Sequence, residues 1–271
     1  MRFFRGVVLL LAASFGGAQL QASIIPLVHL DEATLKAYQA YVDNFEKTVF
    51  DEFHKTGKMW IDNSDCCGKR GAPDTSKPVV QPRRNEDVAR GSIHHFSGTL
   101  FVKGATIESV RKVMEDYEHY VQIFKPDLGA ASGKREADST PEDEHYTSKL
   151  LLVQSTVWMA VNYDTLYDTH YRRPAKDRWT TRSVANYIRE WKDTKNQAAG
   201  TYPEGDDHGF LWKTNTYWLV RERNGGVDIQ ADSIALSRTS PMGFGWWGTK
   251  RSKDAVDKML RDVEDAIANL K

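Results

Sequence analysis

Residues 91–132 read GSIHHFSGTLFVKGATIESVRKVMEDYEHYVQIFKPDLGAAS, and the stretch changes character twice. From Ile93 to Lys103 the residues alternate, with Phe96, Leu100 and Val102 on one face and His95, Ser97, Thr99 and Phe101 on the other, which predicts a strand. At Thr106 the period lengthens. Thr106 is a good helix cap and Glu108 suits a first turn, and Ile107, Val110, Val113 and Met114 share one helical face. Tyr117, Tyr120, Val121 and Phe124 prolong that apolar surface until Pro126 stops it, because proline supplies no backbone donor.

Downstream the pattern is that of an antiparallel meander. A polar hairpin tip is expected at 133–144. Strands are expected over His145–Val153, Thr156–Arg173, Arg178–Trp191, Phe210–Arg223 and Val227–Arg238. In the second, Val157, Met159, Val161, Tyr163, Tyr167 and Tyr171 occupy odd positions, while Asp164, Asp168 and His170 occupy even ones, so the two sets face opposite ways. Asn224-Gly225-Gly226 makes a hairpin turn, and Pro174 marks another. Residues 192–209 form a longer polar loop, and residues 239–249 (TSPMGFGWWGT) carry Phe244, Trp246 and Trp247 among glycines, as a contact loop or plug would. A last amphipathic helix runs from Ser252 to Leu270, with Ala255, Met259, Val263, Ile267 and Leu270 as its apolar face.

Upstream, residues 30–55 predict an N-terminal amphipathic helix, capped by Asp31, with a stripe of Leu35, Tyr38, Val42, Phe45, Val49 and Phe53. Residues 62–90 are rich in Gly, Pro, Asp and charge, and read as a polar connector with Val79 and Val80 as a short edge strand at most. The first 22 residues have two arginines, an apolar run from Gly6 to Phe15 and small residues through Ala18 and Ala22. This is the anatomy of a secretory signal peptide cleaved after Ala18 or Ala22, the alternative being a retained anchor helix. The expected location is therefore outside the cytoplasm, periplasmic or extracellular. Cys66 and Cys67 are adjacent, so they cannot staple distant parts of the fold, and without a second pair they offer no zinc site.

The chain has 271 residues, 40% of them hydrophobic, enough for a substantial core. Lys plus Arg and Asp plus Glu both number 37, so the formal net charge is zero, and no global field favours nucleic acid as a partner. The order of elements implies an α+β fold in which a curved antiparallel sheet wraps a long C-terminal helix, with an extra N-terminal helix. Ile229, Ala231, Ser233 and Ala235 place small residues on one face of the last strand. Trp158, Tyr163, Tyr167, Trp179, Tyr187, Trp212 and Trp218 place large rings on others. The two sets either interlock as core or border a cavity oriented by polar groups such as Asn215.

The segment DYEHYVQIFKPDLGAAS, following a strand and helix and preceding the meander, resembles the entry to START-like helix-grip domains, the SRPBCC superfamily of lipid-transfer domains, pollen allergens and polyketide cyclases. The flanking GSIHHFSGTLF and DHGFLWKTNTYW are similar to an exported bacterial subgroup. The resemblance spans residues 91–271. It implies a deep pocket between sheet and C-terminal helix and a binding role rather than catalysis, and it carries over no catalytic residue.

Three functional readings follow. The first is an exported protein that holds a lipid-like or aromatic small molecule against Tyr163, Tyr167, Trp179, Tyr187, Trp212, Asn215 and Ser233. The second is a cyclase- or hydrolase-like enzyme using His95, Tyr163 or His208, His208 lying beside Asp206 and Asp207. The third is an envelope protein that docks a membrane or partner through Phe244, Trp246 and Trp247. No metal site and no cofactor are expected, since the chain has no HExxH, GxSxG or phosphate-binding loop.

Overall fold

A computed structural model describes residues 25–63, 75–155, 160–239 and 245–270, apart from the side chains of Asn85 and residues 245–252. The expected signal peptide, Cys66 and Cys67, Trp158, Phe244 and the side chains of Trp246 and Trp247 lie outside these residues.

A short strand, β1 (Val28–His29), leads into α1 (Glu32–Phe45), a single π-helical turn (Glu46–Phe50) and α2 (Asp51–Thr56). The Asp31 side chain accepts from Thr34 N at 2.8 Å, closing the helix start as expected and holding its own carboxyl below the usual range. Tyr38, Val42, Phe45 and Phe53 are buried, but between them Phe50, not Val49, completes the buried stripe. The π-turn adds one residue and rotates the helix face by that step. Gly57, at φ +73°, ends the segment in a left-handed cap.

The main sheet has eight antiparallel strands. They are β2 (Val79–Val88), β3 (Gly91–Lys103), β4 (Leu128–Arg135), β5 (Asp143–Ser155), β6 (Ala160–Ala175), β7 (Arg178–Glu190), β9 (Lys213–Arg223) and β10 (Gly226–Arg238), in the order β2-β3-β10-β9-β7-β6-β5-β4. Between β3 and β4 lie α3 (Ile107–Met114) and α4 (Tyr120–Ile123), and α5 (Gly245–Asn269) closes the chain. A two-residue strand, β8 (Asp206–Asp207), pairs with β1 and ties the long loop after β7 to the N-terminal segment. The expected α+β helix grip is present.

Two edges differ from the sequence reading. The polar connector of residues 62–90 ends in a full strand, β2, paired along β3 with a register shift at Pro82, where an edge strand tolerates the missing donor. The chain after Pro126 forms β4, mostly exposed and paired to β5, so the hairpin tip is shorter than 133–144. Both are rims of the sheet with little core to face.

Helix α5 begins at Gly245 rather than Ser252, so Trp246 and Trp247 belong to its first turns and not to a loop. Its buried face is Val256, Leu260, Val263 and Ile267, while Ala255 is exposed and Leu270 is 46% exposed. Each such buried side chain contributes about 1.5–3 kcal/mol. This face packs on Phe96, Leu100, Val102, Val220, Val227, Ile229 and Ala231. The opposite face of the sheet carries Ile93, Tyr217, Leu219, Ile234 and Leu236 under Tyr38, Val42, Phe45, Phe50 and Phe53. The sheet is thus covered on both faces, by α5 on one and by α1 and α2 on the other.

Candidate functional site

Strand register sets the floor of the α5 face. Thr169, Ser183, Thr216, Ser233 and Phe96 are successive partners across β6, β7, β9, β10 and β3, so their side chains form one row. Phe96 belongs to the core beneath α5, which puts the whole row on that face. Thr169 and Ser183 hydroxyls are 2.8 Å apart. Ser183, Thr216 and Ser233 keep partial solvent exposure on this face, where the row runs out from β3 and β10, the strands against which α5 lies, toward β9, β7 and β6.

The row divides two apolar regions. On one side Trp179, Trp218, Ile229 and Ala231 are closed beneath α5, and Tyr171 stacks on Trp179 with centroids 5.6 Å apart. Here the small and large residues interlock as core. On the other side Val161, Tyr163, Tyr167, Ala185 and Ile188 form a second cluster, bordered by the half-buried Leu150, Leu152, Phe210 and Leu211.

Of the seven expected lining residues, Tyr163, Tyr167, Trp179 and Ser233 lie on the α5 face, Trp179 within the filled core. Three lie elsewhere, contrary to expectation. Tyr187 is turned to the other face by a bulge in β7: Tyr167 pairs with Ala185, but its neighbour Leu166 pairs with Tyr187. Arg189 sits over the Tyr187 ring at 4.5 Å. Trp212 precedes the first ladder residue of β9, where alternation no longer applies, and packs with Tyr38. Asn215 accepts from the Tyr38 hydroxyl at 3.0 Å, which anchors α1 instead of a ligand.

The expected histidines part company. His208 pairs with Glu190, which also accepts from His208 N at 3.3 Å, and Glu190 is the register partner of Tyr163, so this pair borders the second apolar cluster. Burial pushes the Glu190 carboxyl up to about 7 and lowers His208. Asp207 accepts from Gly209 N at 2.6 Å and Trp212 Nε1 at 3.1 Å, and burial raises it to about 6. Asp206 bonds His29 at the surface.

His95 lies on the opposite face, against α1. Its Nε2 is 3.1 Å from Asp232 Oδ1, an oxygen that also accepts from the Ser97 hydroxyl, so Nε2–H donates and Nδ1 accepts from the Tyr41 hydroxyl at 2.7 Å. Gln230 donates to the second Asp232 oxygen at 2.7 Å and accepts from Trp60 N at 2.8 Å. A pocket of about 180 Å³ opens on this chain of bonds, with Arg83 at its rim. A broader groove of about 520 Å³ beside α4 and α5 mixes Asp116, Asp262 and Asp265 with Val113, Ile123 and Ala266.

No family model matches the chain, and no curated relative matches it. Among solved structures, the chain is similar to a fragment of the STAR-related lipid transfer protein from Xanthomonas axonopodis, at 17% identity over 70% of this chain and 98% of that one, with a TM-score of 0.45. It is similar to a START superfamily protein from Mycobacterium smegmatis at 14% identity, over 65% and 99% of the two chains, with a TM-score of 0.42. It is similar to the Zhui aromatase/cyclase from a Streptomyces species at 11% identity, over 65% and 92%, with a TM-score of 0.40.

Proposed function

We propose that this chain, once exported, binds a small hydrophobic molecule, lipid-like or aromatic, on the α5 face of the sheet. The ligand lies between the Thr169–Ser183–Thr216–Ser233 row and the cluster of Tyr163, Tyr167 and Ile188. The observation that carries the reading is the partial exposure of Ser183, Thr216 and Ser233 on a face that α5 covers only in part, near the half-buried Leu150, Leu152, Phe210 and Leu211 that border the buried cluster. Hydroxyls in a row offer orientation to a polar end, and the apolar border offers burial to the rest. Export rests on the N-terminal apolar run alone.

Titration with a fluorescent fatty acid tests the site. Saturation near one probe per chain is expected, with about tenfold or greater weakening in Thr216→Leu, which fills the floor without opening a void. Absence of saturation, or undiminished binding in the variant, would remove the reading.

A second reading is favoured by the Glu190–His208 pair. A carboxyl raised to about 7 beside an imidazole, both at the edge of the same apolar cluster, is suited to exchanging a proton with a bound molecule. Turnover that is lost in Glu190→Gln while probe binding persists would establish it.

A further inference from the structure

Strands β5 and β6 place His145 directly opposite His170, and Asp168 lies two residues before His170 on the same face, the one turned away from α5. The two imidazoles stack almost parallel, with centroids 4.6 Å apart and planes 5° apart. His145 Nε2 is 2.9 Å from one Asp168 oxygen and His170 Nε2 is 3.3 Å from the other. One ligating atom from each of the three residues lies within 4.8 Å of the other two.

The outer nitrogens are also held. His145 Nδ1 bonds Asp138 at 2.7 Å and His170 Nδ1 bonds Asp143 at 2.8 Å, and Arg172 fixes Asp143 at 2.7 Å. A carboxylate only accepts, so both Nδ1 atoms donate, and by the same rule each Nε2 donates toward the Asp168 oxygen it faces while no ion is bound. Loss of those two protons leaves two Nε2 lone pairs and a carboxylate converging on one point, a donor set that suits a cation. An ion with bonds of about 2.0–2.2 Å in tetrahedral geometry holds its ligand atoms roughly 3.3–3.6 Å apart, within the 4.8 Å that bounds the three ligating atoms here. Imidazoles oriented by carboxylates on their far nitrogens are the usual outer shell of such a site.

We propose that His145, His170 and Asp168 bind a divalent transition ion of borderline softness such as Zn²⁺, with Asp138 and Asp143 orienting the two rings. Two nitrogens and one oxygen suit such ions better than Ca²⁺ or Mg²⁺, which prefer oxygen alone. The three side chains are 16%, 24% and 28% exposed, so a further coordination position opens to solvent. The site lies on the other face from the proposed apolar ligand and does not depend on it.

Calorimetry with Zn²⁺ on the full chain, after chelator treatment, tests this, with visible absorption of the Co²⁺ form as a second readout. One ion per chain is expected. Asp168→Asn, which keeps the shape, and the double variant His145→Ala/His170→Ala should each weaken binding about 100-fold or more. Asp138→Asn should weaken it about 10- to 100-fold. His119→Ala, an exposed histidine on Asp116, should leave it unchanged. Absence of one-to-one binding overturns the proposal. Full affinity in Asp168→Asn and the double variant also overturns it, since the three groups would then form only a proton-bridged ion-pair network.

Discussion

Gly98 meets Leu260 with no side chain of its own between them: a Cβ at Gly98 would lie 2.6 Å from Leu260 Cδ1 and 2.7 Å from Val256 Cγ1. Ala231, its partner on β10, adds only a methyl group. Together they form the trough in which α5 seats, so this part of the small-residue stripe serves helix packing and not a ligand.

Gly98→Val should therefore lift α5 and cost about 1–3 kcal/mol in urea unfolding. Gly104, at φ +75° with no atom within 4 Å of an added Cβ, is the control. Gly104→Ala should cost only left-handed backbone strain, about 1–2 kcal/mol, and leave α5 in place. Unchanged stability in Gly98→Val would mean that the helix does not rest there.

On the other face Asp232 accepts from His95, Ser97 and Gln230 while 1% exposed. Asp232→Ala strands three buried donors, and a loss of roughly 3–5 kcal/mol is expected in chemical unfolding. Ser97→Ala removes one donor and should cost roughly 0.5–1.5 kcal/mol. Equal effects from the two would show that Asp232 is not the hub of the network.

Glu190 and Asp207 give a pH signature. Both carboxyls have folded-state values above their ordinary 4.5 and 3.8, at about 7 and about 6, because burial disfavours the charged form. The folded protein therefore binds more protons than the unfolded chain between those values. The stability these groups lend is present below about pH 4 and is lost as pH rises to about 7. Relative to the wild type, Glu190→Gln should flatten the decline between about pH 4.5 and 7, read as ΔG of unfolding at each pH. Parallel wild-type and variant curves would contradict the assignment.

The strands with one buried and one distinct opposite face were legible from period-two alternation, as were the Thr106 cap and the Asn224–Gly225 turn, where Gly225 has φ +87°. The edges β2 and β4 were not, because exposed rims carry no alternating core signal. Parity failed for Tyr187 and Trp212 for the same physical reason: a bulge or a strand end breaks the two-residue repeat on which the face assignment rests. Asn215 reads as a pocket amide, and the structure joins it instead to Tyr38, 177 positions away, a pairing no local pattern reveals. His145, Asp168 and His170 come together only through the β5–β6 register. The spacing of Asp168 and His170 shows a shared face, but the position of His145 opposite them does not.

Native mass spectrometry of the chain, purified gently and then mixed with a panel of phospholipids, fatty acids and aromatic compounds, bears most directly on whether the α5 face holds an apolar molecule. The expected spectrum shows one adduct per chain for at least one class, and loss of that adduct in Thr216→Leu with the folded charge-state envelope retained. A wild-type chain that stays bare across the panel, or an adduct that survives Thr216→Leu, would contradict it.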